Sequence, residues 1–238
     1  MTASTATGSQ TLDRGISMLE YVTDADAPPT IAAIAEHLGV HRSIAYRILR
    51  TFEGRGLLRR DDAGRVHPAP ALAVLARRVE QDLQAAALPE LSALSAELGM
   101  SAFVVVWDGG DCVTLVTVEP PRGNLVTQRP GTQHPLGRGG PGIALAAGLT
   151  EDELDDAIDS GAILDSRRRD VEQARRRGMA LSSGEVIPGV SSVAVPLRVR
   201  GQLPASLAVV YATRAADTRA IGQRLRVAAG EIARVLGD

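Results

Sequence analysis

The chain has 238 residues, with 26 basic and 28 acidic side chains and a formal net charge of −2. This length allows a small domain and a larger one, each with its own hydrophobic core. Because the total charge is close to zero, any nucleic-acid-binding surface must be local. The single cysteine, Cys112, excludes an internal disulfide and suits a reducing cytosol. No apolar run is long enough to span a membrane, so we expect a cytoplasmic protein.

The first residues predict a tail and a helix. Residues 1–9 are small and polar without the pattern of a signal peptide, and we expect a disordered tail. Thr11 is a suitable cap for a first helix that ends near residue 22. Its predicted apolar face carries Leu12, Ile16 and Leu19.

Residues 30–67 have the pattern of a winged helix-turn-helix. A short amphipathic helix capped by Thr30 is followed by a turn at Gly39 and by a second helix over 41–52. Residues 57–60 and 65–67 then predict the two strands of a wing, joined by a tight turn. The apolar residues of the second helix recur at helical spacing and are expected to face inward. They are Ile44, Ala45, Ile48, Leu49 and Phe52.

The opposite face of the second helix predicts a DNA-binding surface. Between Arg42 and Arg60 there are six arginines and one acid, Glu53. Arginines alone are equally typical of a solvated face, but the turn, the helix lengths and the wing favour DNA. Arginine at such positions binds phosphates and base edges in the major groove. The predicted DNA-binding residues are Thr30, His41, Arg42, Ser43, Tyr46, Arg47 and Arg50, with Arg59, Arg60 and Arg65 of the wing on phosphates.

The rest of the chain predicts a linker helix and an α+β domain. Residues 71–87 are rich in Ala and Leu and predict a helix, and Pro89 marks the start of another helix that ends near Leu98. Strands are predicted over 102–107, 112–118, 125–129, 179–183, 191–199 and 204–211. Helices are predicted after residue 137, after Thr150, over 165–177 and over 217–236. The predicted domains are therefore 10–70, the linker helix 71–87, and 88–238.

The glycine-rich segment 137–142 is the most informative part of the second domain. Its glycines allow a ligand to approach the backbone, and the amides that open the following helix favour an anion. It lacks the Lys-Ser/Thr of a nucleotide-binding loop. A plain tight turn explains the glycines equally well. Arg138 can pair with a carboxylate or point to solvent.

Several of these segments together resemble one family. They are Gln10-Thr-Leu-Asp-Arg-Gly-Ile-Ser-Met-Leu19 with the helix-turn-helix after it, His134-Pro135-Leu136, Gly142, and Gly178-Met-Ala180 leading to Glu185. In order and spacing the chain resembles IclR-type bacterial transcriptional regulators from about Gln10 onward. The resemblance implies a GAF-like effector-binding domain, homo-oligomers, and a small effector that is often an organic or aromatic acid.

The resemblance also implies the walls of an effector pocket. One wall is the segment Arg138, Gly139, Gly140, Pro141 and Gly142. The facing wall is Val126, Ser182, Glu185, Ser191, Ser192, Ala208 and Val210. Ser192 keeps polarity where many relatives carry Cys, and the apolar residues favour a ligand with an apolar or aromatic body. Glu185 either contacts the ligand or organises its own loop.

The residues do not predict an enzyme. No set of nucleophile, base and oxyanion donors can be assembled, and the four histidines lack metal-ligand spacing. We therefore expect no catalysis, cofactor or metal. The expected partners are double-stranded DNA with a pseudo-palindromic operator, a small organic acid, and a second copy of the chain. Pairing of dimers into tetramers stays open. The alternative function is a DNA-binding architectural protein whose second domain only oligomerises.

Overall fold

The computed structural model describes residues 8–121, 126, 128–213 and 216–237. It divides into two compact units, with the boundary between Val79 and Glu80. Most of the tail predicted over 1–9 lies outside the described residues, but Ser9 is described and caps the first helix. Within these ranges, no helix has both the length and the apolar character of a membrane span.

The first unit is a winged helix-turn-helix. Its elements are α1 (Gln10–Asp24), α2 (Ile31–His37), α3 (Arg42–Gly54), β1 (Leu58–Arg60), β2 (Val66–Pro68) and α4 (Ala71–Ala76). β1 and β2 pair antiparallel, as the wing requires. The core is formed by Met18, Val22, Ile34, Ala35, Ala45, Ile48, Leu49, Leu58 and Val66. The predicted helix-turn-helix and wing are confirmed.

Helix α1 packs through a different face from the predicted one. Leu12 and Ile16 are exposed, whereas Gly15, Met18 and Val22 are buried. The reason is close approach: a Cβ at Gly15 would lie only 3.2 Å from Cζ of the Phe52 ring. Gly15 therefore allows α1 to approach α3 more closely than a larger residue at this position would.

Two further expectations in this unit are wrong. Ser9, and not Thr11, is the N-cap of α1, because the Ser9 hydroxyl accepts a hydrogen bond from the Leu12 amide. Ile44 is 37% exposed, since it lies at the edge of the buried stripe of α3 that includes Ala45 and Ile48. Thr30 caps α2 as predicted and accepts from the amide of Ala33 at 3.3 Å.

The linker helix predicted over 71–87 is two helices. Helix α4 ends at Ala76, and α5 runs over Gln81–Leu98 after Glu80 adopts a left-handed conformation with φ 45°. The predicted restart at Pro89 is also wrong, because α5 continues through that residue. The apolar face of α5 explains this continuity, because residues before and after the proline are buried on one stripe. Their packing outweighs the loss of the backbone hydrogen bond that a proline cannot donate. These residues are Leu83, Ala86, Ala87, Leu91 and Leu94.

The second unit is built around a six-stranded antiparallel sheet of order β5-β4-β3-β8-β7-β6. The strands are β3 (Ser101–Trp107), β4 (Cys112–Val118), β5 (Gln133–His134), β6 (Ala180–Ser183), β7 (Val190–Leu197) and β8 (Ala205–Ala212). The other helices are α6 (Gly139–Gly148), α7 (Glu151–Asp159), α8 (Arg168–Arg177) and α9 (Thr218–Val235). The predicted α+β class is confirmed.

Both faces of this sheet are covered. Alternate residues of β3, such as Val104 and Phe103, belong to different cores because strand side chains alternate in direction. The Val104 core contains α5 and α9, and the Phe103 core contains α6, α7 and α8. This burial on both faces explains why β3, β7 and β8 read as nearly continuous apolar runs.

The strand predicted over 125–129 is not formed by its described residues. Residues 125 and 127 lie outside the described part, and residues 126, 128 and 129 belong to no strand. Side-chain hydrogen bonds connect these residues to strands β3 and β4. Ser101 Oγ donates to the carbonyl of Val126 at 3.0 Å, and Thr117 Oγ1 donates to the carbonyl of Gln128 at 2.5 Å. The short strand β5 was missed in the sequence, because two residues carry no periodicity.

Candidate functional sites

The outer face of α3 presents the predicted polar residues to solvent. Arg42, Ser43, Tyr46, Arg47 and Arg50 are all exposed. Their arrangement follows from the burial of Ala45, Ile48 and Leu49 on the inner face. The helix begins after His41, whose Nδ1 accepts a hydrogen bond from the Ser43 amide at 3.3 Å and so acts as the N-cap. An exposed arginine-rich helix is suited to the major groove.

Arg60 of the wing binds two residues of α3, Glu53 and Tyr46. Its Nε lies 2.6 Å from Oε1 of Glu53, and its second terminal nitrogen lies 3.1 Å from Oε2. A third nitrogen donates to the Tyr46 hydroxyl at 2.8 Å, and the guanidinium stands 5.2 Å from the centre of the Tyr46 ring. Hydrogen bonding to Glu53 raises the pKa of Arg60. Arg60 therefore fixes Tyr46 and joins β1 to α3, a role that the sequence did not indicate.

Asp61 organises the tip of the wing. Its Oδ1 accepts from the amides of Ala63 and Arg65 at 3.0 and 2.8 Å, and its Oδ2 lies 2.9 Å from His67 Nε2. The hydrogen bond from His67 is the main reason that the pKa of Asp61 is lowered. Arg65 donates to the carbonyl of Pro28 at 3.2 Å and remains exposed, as does Arg59. Arg59 lies in β1, and Arg65 lies directly before β2 at the turn that Asp61 stabilises.

The second unit contains a cavity at the start of α6. Its volume is about 510 Å³, counted out to its open mouth. Eight residues predicted for an effector pocket line it: Val126, Arg138, Gly139, Pro141, Ser182, Ser191, Ser192 and Val210. Six lining residues were not predicted: Phe103, Gln128, His134, Val186, Ile187 and Val190.

The predicted residues Gly140, Gly142 and Ala208 do not line the cavity. The Gly140 amide donates to Ser192 Oγ at 3.2 Å, and a Cβ on this glycine would lie 2.5 Å from the same oxygen. A Cβ on Gly142 would lie 3.2 Å from the carbonyl oxygen of Pro135. Ala208 is completely buried in the sheet. Gly140 and Gly142 both lie in α6, and close packing against Ser192 and Pro135 accounts for a small residue at each position.

Glu185 organises its loop. Its carboxylate accepts a hydrogen bond from Ser182 Oγ at 3.1 Å and forms an ion pair with Arg167. Arg167 also donates from Nε to the carbonyl of Gly137 at 2.8 Å and lies 3.0 Å from Asp170. Arg167 therefore ties the 184–189 loop to the segment before α6. Sequence analysis did not identify this role, since Arg167 is one of three consecutive arginines.

Arg138 and His134 are two of the polar residues that line the cavity. Arg138 lines the cavity and is exposed, and among the described residues no carboxylate pairs with it. The His134 ring places Nδ1 3.2 Å from the carbonyl oxygen of Pro135. Burial is the main cause of the lowered pKa of His134, and the charge of Arg138 acts in the same direction. The ring is therefore neutral at neutral pH.

Cys112 offers no thiolate to the cavity. It is completely buried in β4, and burial raises the pKa of its thiol to about 12. The protonated thiol is a poor nucleophile and metal ligand. In the part of the chain that the structure describes, no three His, Cys, Asp or Glu side chains are grouped to hold a metal ion.

Family models match both units of this chain. The model of the IclR helix-turn-helix domain matches residues 11–62, and that of the bacterial transcriptional regulator IclR C-terminal domain matches residues 76–234. The chain belongs to the IclR family of transcriptional regulators. Its helix-turn-helix implies DNA binding. No curated protein sequence matches the chain.

Solved structures share the IclR fold over nearly the whole chain. An IclR regulator from Alicyclobacillus acidocaldarius is 24% identical, with a TM-score of 0.81 and coverage of 97% of this chain and 100% of the other. An IclR homolog from Microbacterium hydrocarbonoxydans, complexed with 4-hydroxybenzoate, is 22% identical, with a TM-score of 0.81 and coverage of 95% and 98%. IclR of Thermotoga maritima is 22% identical, with a TM-score of 0.72 and coverage of 96% and 99%.

Proposed function

We propose that this IclR-family regulator binds a small carboxylic acid in its second unit and that binding changes its affinity for an operator. The observation that carries the proposal is Arg138, which pairs with no carboxylate of the described residues and lines a cavity together with several apolar side chains. A ligand alters DNA binding only if it binds the DNA-competent and DNA-incompetent forms unequally. The effector must therefore favour one of these forms.

The first unit supports specific DNA binding by a dimer. A protein with one α3 contacts one half-site, whereas two copies place two such helices in successive major grooves of a pseudo-palindromic operator. Arg47 and its exposed neighbours on α3 are available for base edges. Arg59 and Arg65 are available for the phosphates beside them.

Arg138, more than the backbone, supports recognition of an anion. Amides at a helix start favour anions, but here the Gly140 amide is used by Ser192 and Pro141 has no amide hydrogen. The Gly139 amide and the Arg138 guanidinium are the remaining donors at this end of α6. A guanidinium forms two parallel hydrogen bonds with a carboxylate. Phe103, Val126 and Val210 favour an apolar or aromatic body for the same ligand.

The complex of the Microbacterium hydrocarbonoxydans homolog with 4-hydroxybenzoate supports this ligand class. An aromatic acid combines the charge that Arg138 requires with an apolar body for the opposite wall. The ligand of this protein is proposed from its own cavity, and the homolog adds a precedent for an acid of this kind on the same fold.

The test pairs acids with their amides on the full-length protein. Benzoate and hexanoate, with benzamide and hexanamide, are titrated while the melting temperature and the affinity for a DNA fragment selected by the protein are measured. We expect at least one acid to bind, its amide to bind at least about tenfold more weakly, and Arg138→Ala to lose a similar factor. Arg200→Ala, an exposed arginine outside the cavity lining, is the matched control.

The outcomes separate the proposal from its alternative. Amides that bind as tightly as acids would remove the anion from the site. If no acid changes either measurement, the second unit serves only assembly, which is the architectural alternative. Acid binding that leaves DNA affinity unchanged would separate ligand binding from regulation and would also contradict the proposal.

A further inference from the structure

The side chains of Tyr46, Glu53 and Arg60 form one cluster between α3 and the wing. Arg60 binds the Glu53 carboxylate through Nε at 2.6 Å and through one terminal nitrogen at 3.1 Å. Its other terminal nitrogen donates to the Tyr46 hydroxyl at 2.8 Å, and the guanidinium lies 5.2 Å from the centre of the Tyr46 ring. Because the guanidinium is itself held by a carboxylate, these two contacts keep the Tyr46 ring in one orientation.

The contact with Arg60 decides which hydrogen bond the Tyr46 hydroxyl can still make. A guanidinium donates and cannot accept, so the Tyr46 oxygen is the acceptor in this contact. The hydroxyl proton must then point to a different group, and Tyr46 can bind a further partner only as a donor. Hydrogen bonds in a chain polarise one another, so a cationic donor on the oxygen makes the hydroxyl a stronger donor.

Tyr46 lies in the middle of the arginine-rich face of α3. Arg42 and Arg50 lie about one helical turn before and after it, and both are exposed. Tyr46 itself is 39% exposed although Arg60 holds its hydroxyl. A hydrogen-bond donor in this position faces the same partner as the arginines around it.

We propose that Tyr46 recognises a base edge of the operator as a hydrogen-bond donor and that Arg60 is the positioning residue that holds it for this contact. The inference rests on the proposed binding of an operator by the first unit. The major groove offers acceptors that suit a hydroxyl donor, namely purine N7, guanine O6 and thymine O4. A side chain that is ordered before binding loses less conformational entropy on binding.

The proposal separates Arg60 from the other arginines of the wing. Its charge is paired with Glu53, and its side chain is 33% exposed. Arg60 therefore acts through Tyr46 instead of the phosphate contact that the sequence predicted for it. Arg59 and Arg65 retain that predicted phosphate contact.

The experiment measures the affinities of full-length variants for the selected operator and for random DNA of the same length. Tyr46→Phe removes the hydroxyl and keeps the ring, so it should lose about tenfold on the operator and little on random DNA. Arg60→Lys keeps the charge but not the planar fork, and it should lose a similar factor on the operator. Since both changes remove one contact, the double variant should lose no more than the larger single loss.

Two further measurements sharpen the assignment. Arg59→Lys is the matched control on the same strand and should keep the ratio of the two affinities, because a phosphate contact needs only the charge. Sites selected anew by Tyr46→Phe should lose the preference for one base pair in each half-site. This loss of preference would not follow from a purely structural defect. Thermal melting of each variant shows whether the fold is intact, and the conservative Tyr46→Phe gives the second reading if Arg60→Lys is unstable.

The outcomes keep this inference apart from the proposed function. Wild-type operator affinity in Tyr46→Phe would overturn the donor role while operator binding stands. An equal loss on operator and random DNA would place the acceptor on a phosphate and contradict recognition of a base. Wild-type affinity in Arg60→Lys, or losses that add in the double variant, would overturn positioning by Arg60. If the wild type selects no operator, the proposed function fails together with this inference.

Discussion

At the scale of single residues, Arg47 and Arg65 are expected to have different effects on DNA binding. Arg47 is exposed on α3, where base edges are within reach, whereas Arg65 is on the wing beside the carbonyl of Pro28. Arg47→Ala should cost about 1–3 kcal/mol on the selected operator and little on random DNA. Arg65→Ala should weaken binding to all sequences and reduce the slope of affinity against salt by about one phosphate contact.

Fluorescence titrations at several salt concentrations measure both effects. Arg176→Ala, an exposed arginine of the second unit, is the matched control and should change neither the affinity nor the slope. Wild-type operator affinity in both Arg47→Ala and Arg65→Ala would show that the assigned surface is wrong.

The residue pattern predicted the exposed face of α3 but not the ion pair between Glu53 of α3 and Arg60 of β1. Helical spacing alone places Arg42, Arg47 and Arg50 opposite the core. The pair of Arg60 and Glu53 depends on how β1 folds against α3, so Arg60 could not be told apart from Arg59 by sequence. Tertiary pairing of this kind has no local signal.

Some residues of the cavity could likewise be predicted from the local sequence, whereas others depend on the tertiary fold. Glycines and Arg138 marked the start of α6 in the sequence. Phe103 and Val190 have the same appearance as core residues, because apolar side chains on a strand predict burial and not the presence of a cavity beside it. His134 was part of the family resemblance, but its place in the cavity lining depends on how β5 pairs with β4.

At the scale of elements, the start of α7 is stabilised by a charge. Thr150 and Glu153 form a capping box, and the Glu153 carboxylate also binds Arg198 at 2.6 and 3.1 Å. These hydrogen bonds lower the pKa of Glu153 from 4.5 to about 2, and the one from Arg198 is the largest cause. The carboxylate therefore stabilises the fold above its ordinary pKa, and this contribution is lost as the pH falls towards 2.

Glu153→Gln should lower the free energy of unfolding by about 1 kcal/mol at pH 7, since the pair is partly exposed and screened by solvent. The difference from the wild type should shrink as the pH falls below about 4.5. Urea unfolding at pH 7 and at pH 3 measures it. Glu172→Gln removes an exposed pair with Arg176 at 3.7 Å and should have a smaller effect at both values. A difference for Glu153→Gln that does not depend on pH would contradict the ionic explanation.

The errors at element scale arose where packing and local preference disagree. A proline favours the start of a helix, yet α5 passes through Pro89 because its buried stripe continues on both sides. The break falls instead at Glu80, whose φ of 45° is uncommon for a residue with a side chain. Neither outcome is encoded in the local sequence alone. The long strands β3, β4, β7 and β8 were predicted because their apolar runs and turn residues agree.

At the scale of the whole molecule, we expect a homodimer held by α1 and by α4 with the turn after it. Leu12 and Ile16 of α1 are 64% and 48% exposed, and Val74 and Leu75 of α4 are 64% and 69% exposed. Leu12 and Ile16 lie on neighbouring turns of α1, and Val74 and Leu75 are adjacent in α4. Exposed large apolar side chains that are grouped in this way indicate an interaction surface. A dimer is also what specific binding requires, because one winged helix contacts too few base pairs at physiological salt.

Light scattering on the full-length protein without DNA should give the mass of a dimer at micromolar concentration. Leu75→Glu should shift this mass towards the monomer and weaken operator binding, because burying an unpaired carboxylate in an apolar interface is strongly unfavourable. Leu164→Glu is the matched control, since Leu164 is 70% exposed and lies outside both helices. A monomer in the wild type, or equal masses for the wild type and Leu75→Glu, would place the contact elsewhere. If the dimer persists in Leu75→Glu while operator binding is lost, α4 affects DNA binding by a route other than assembly.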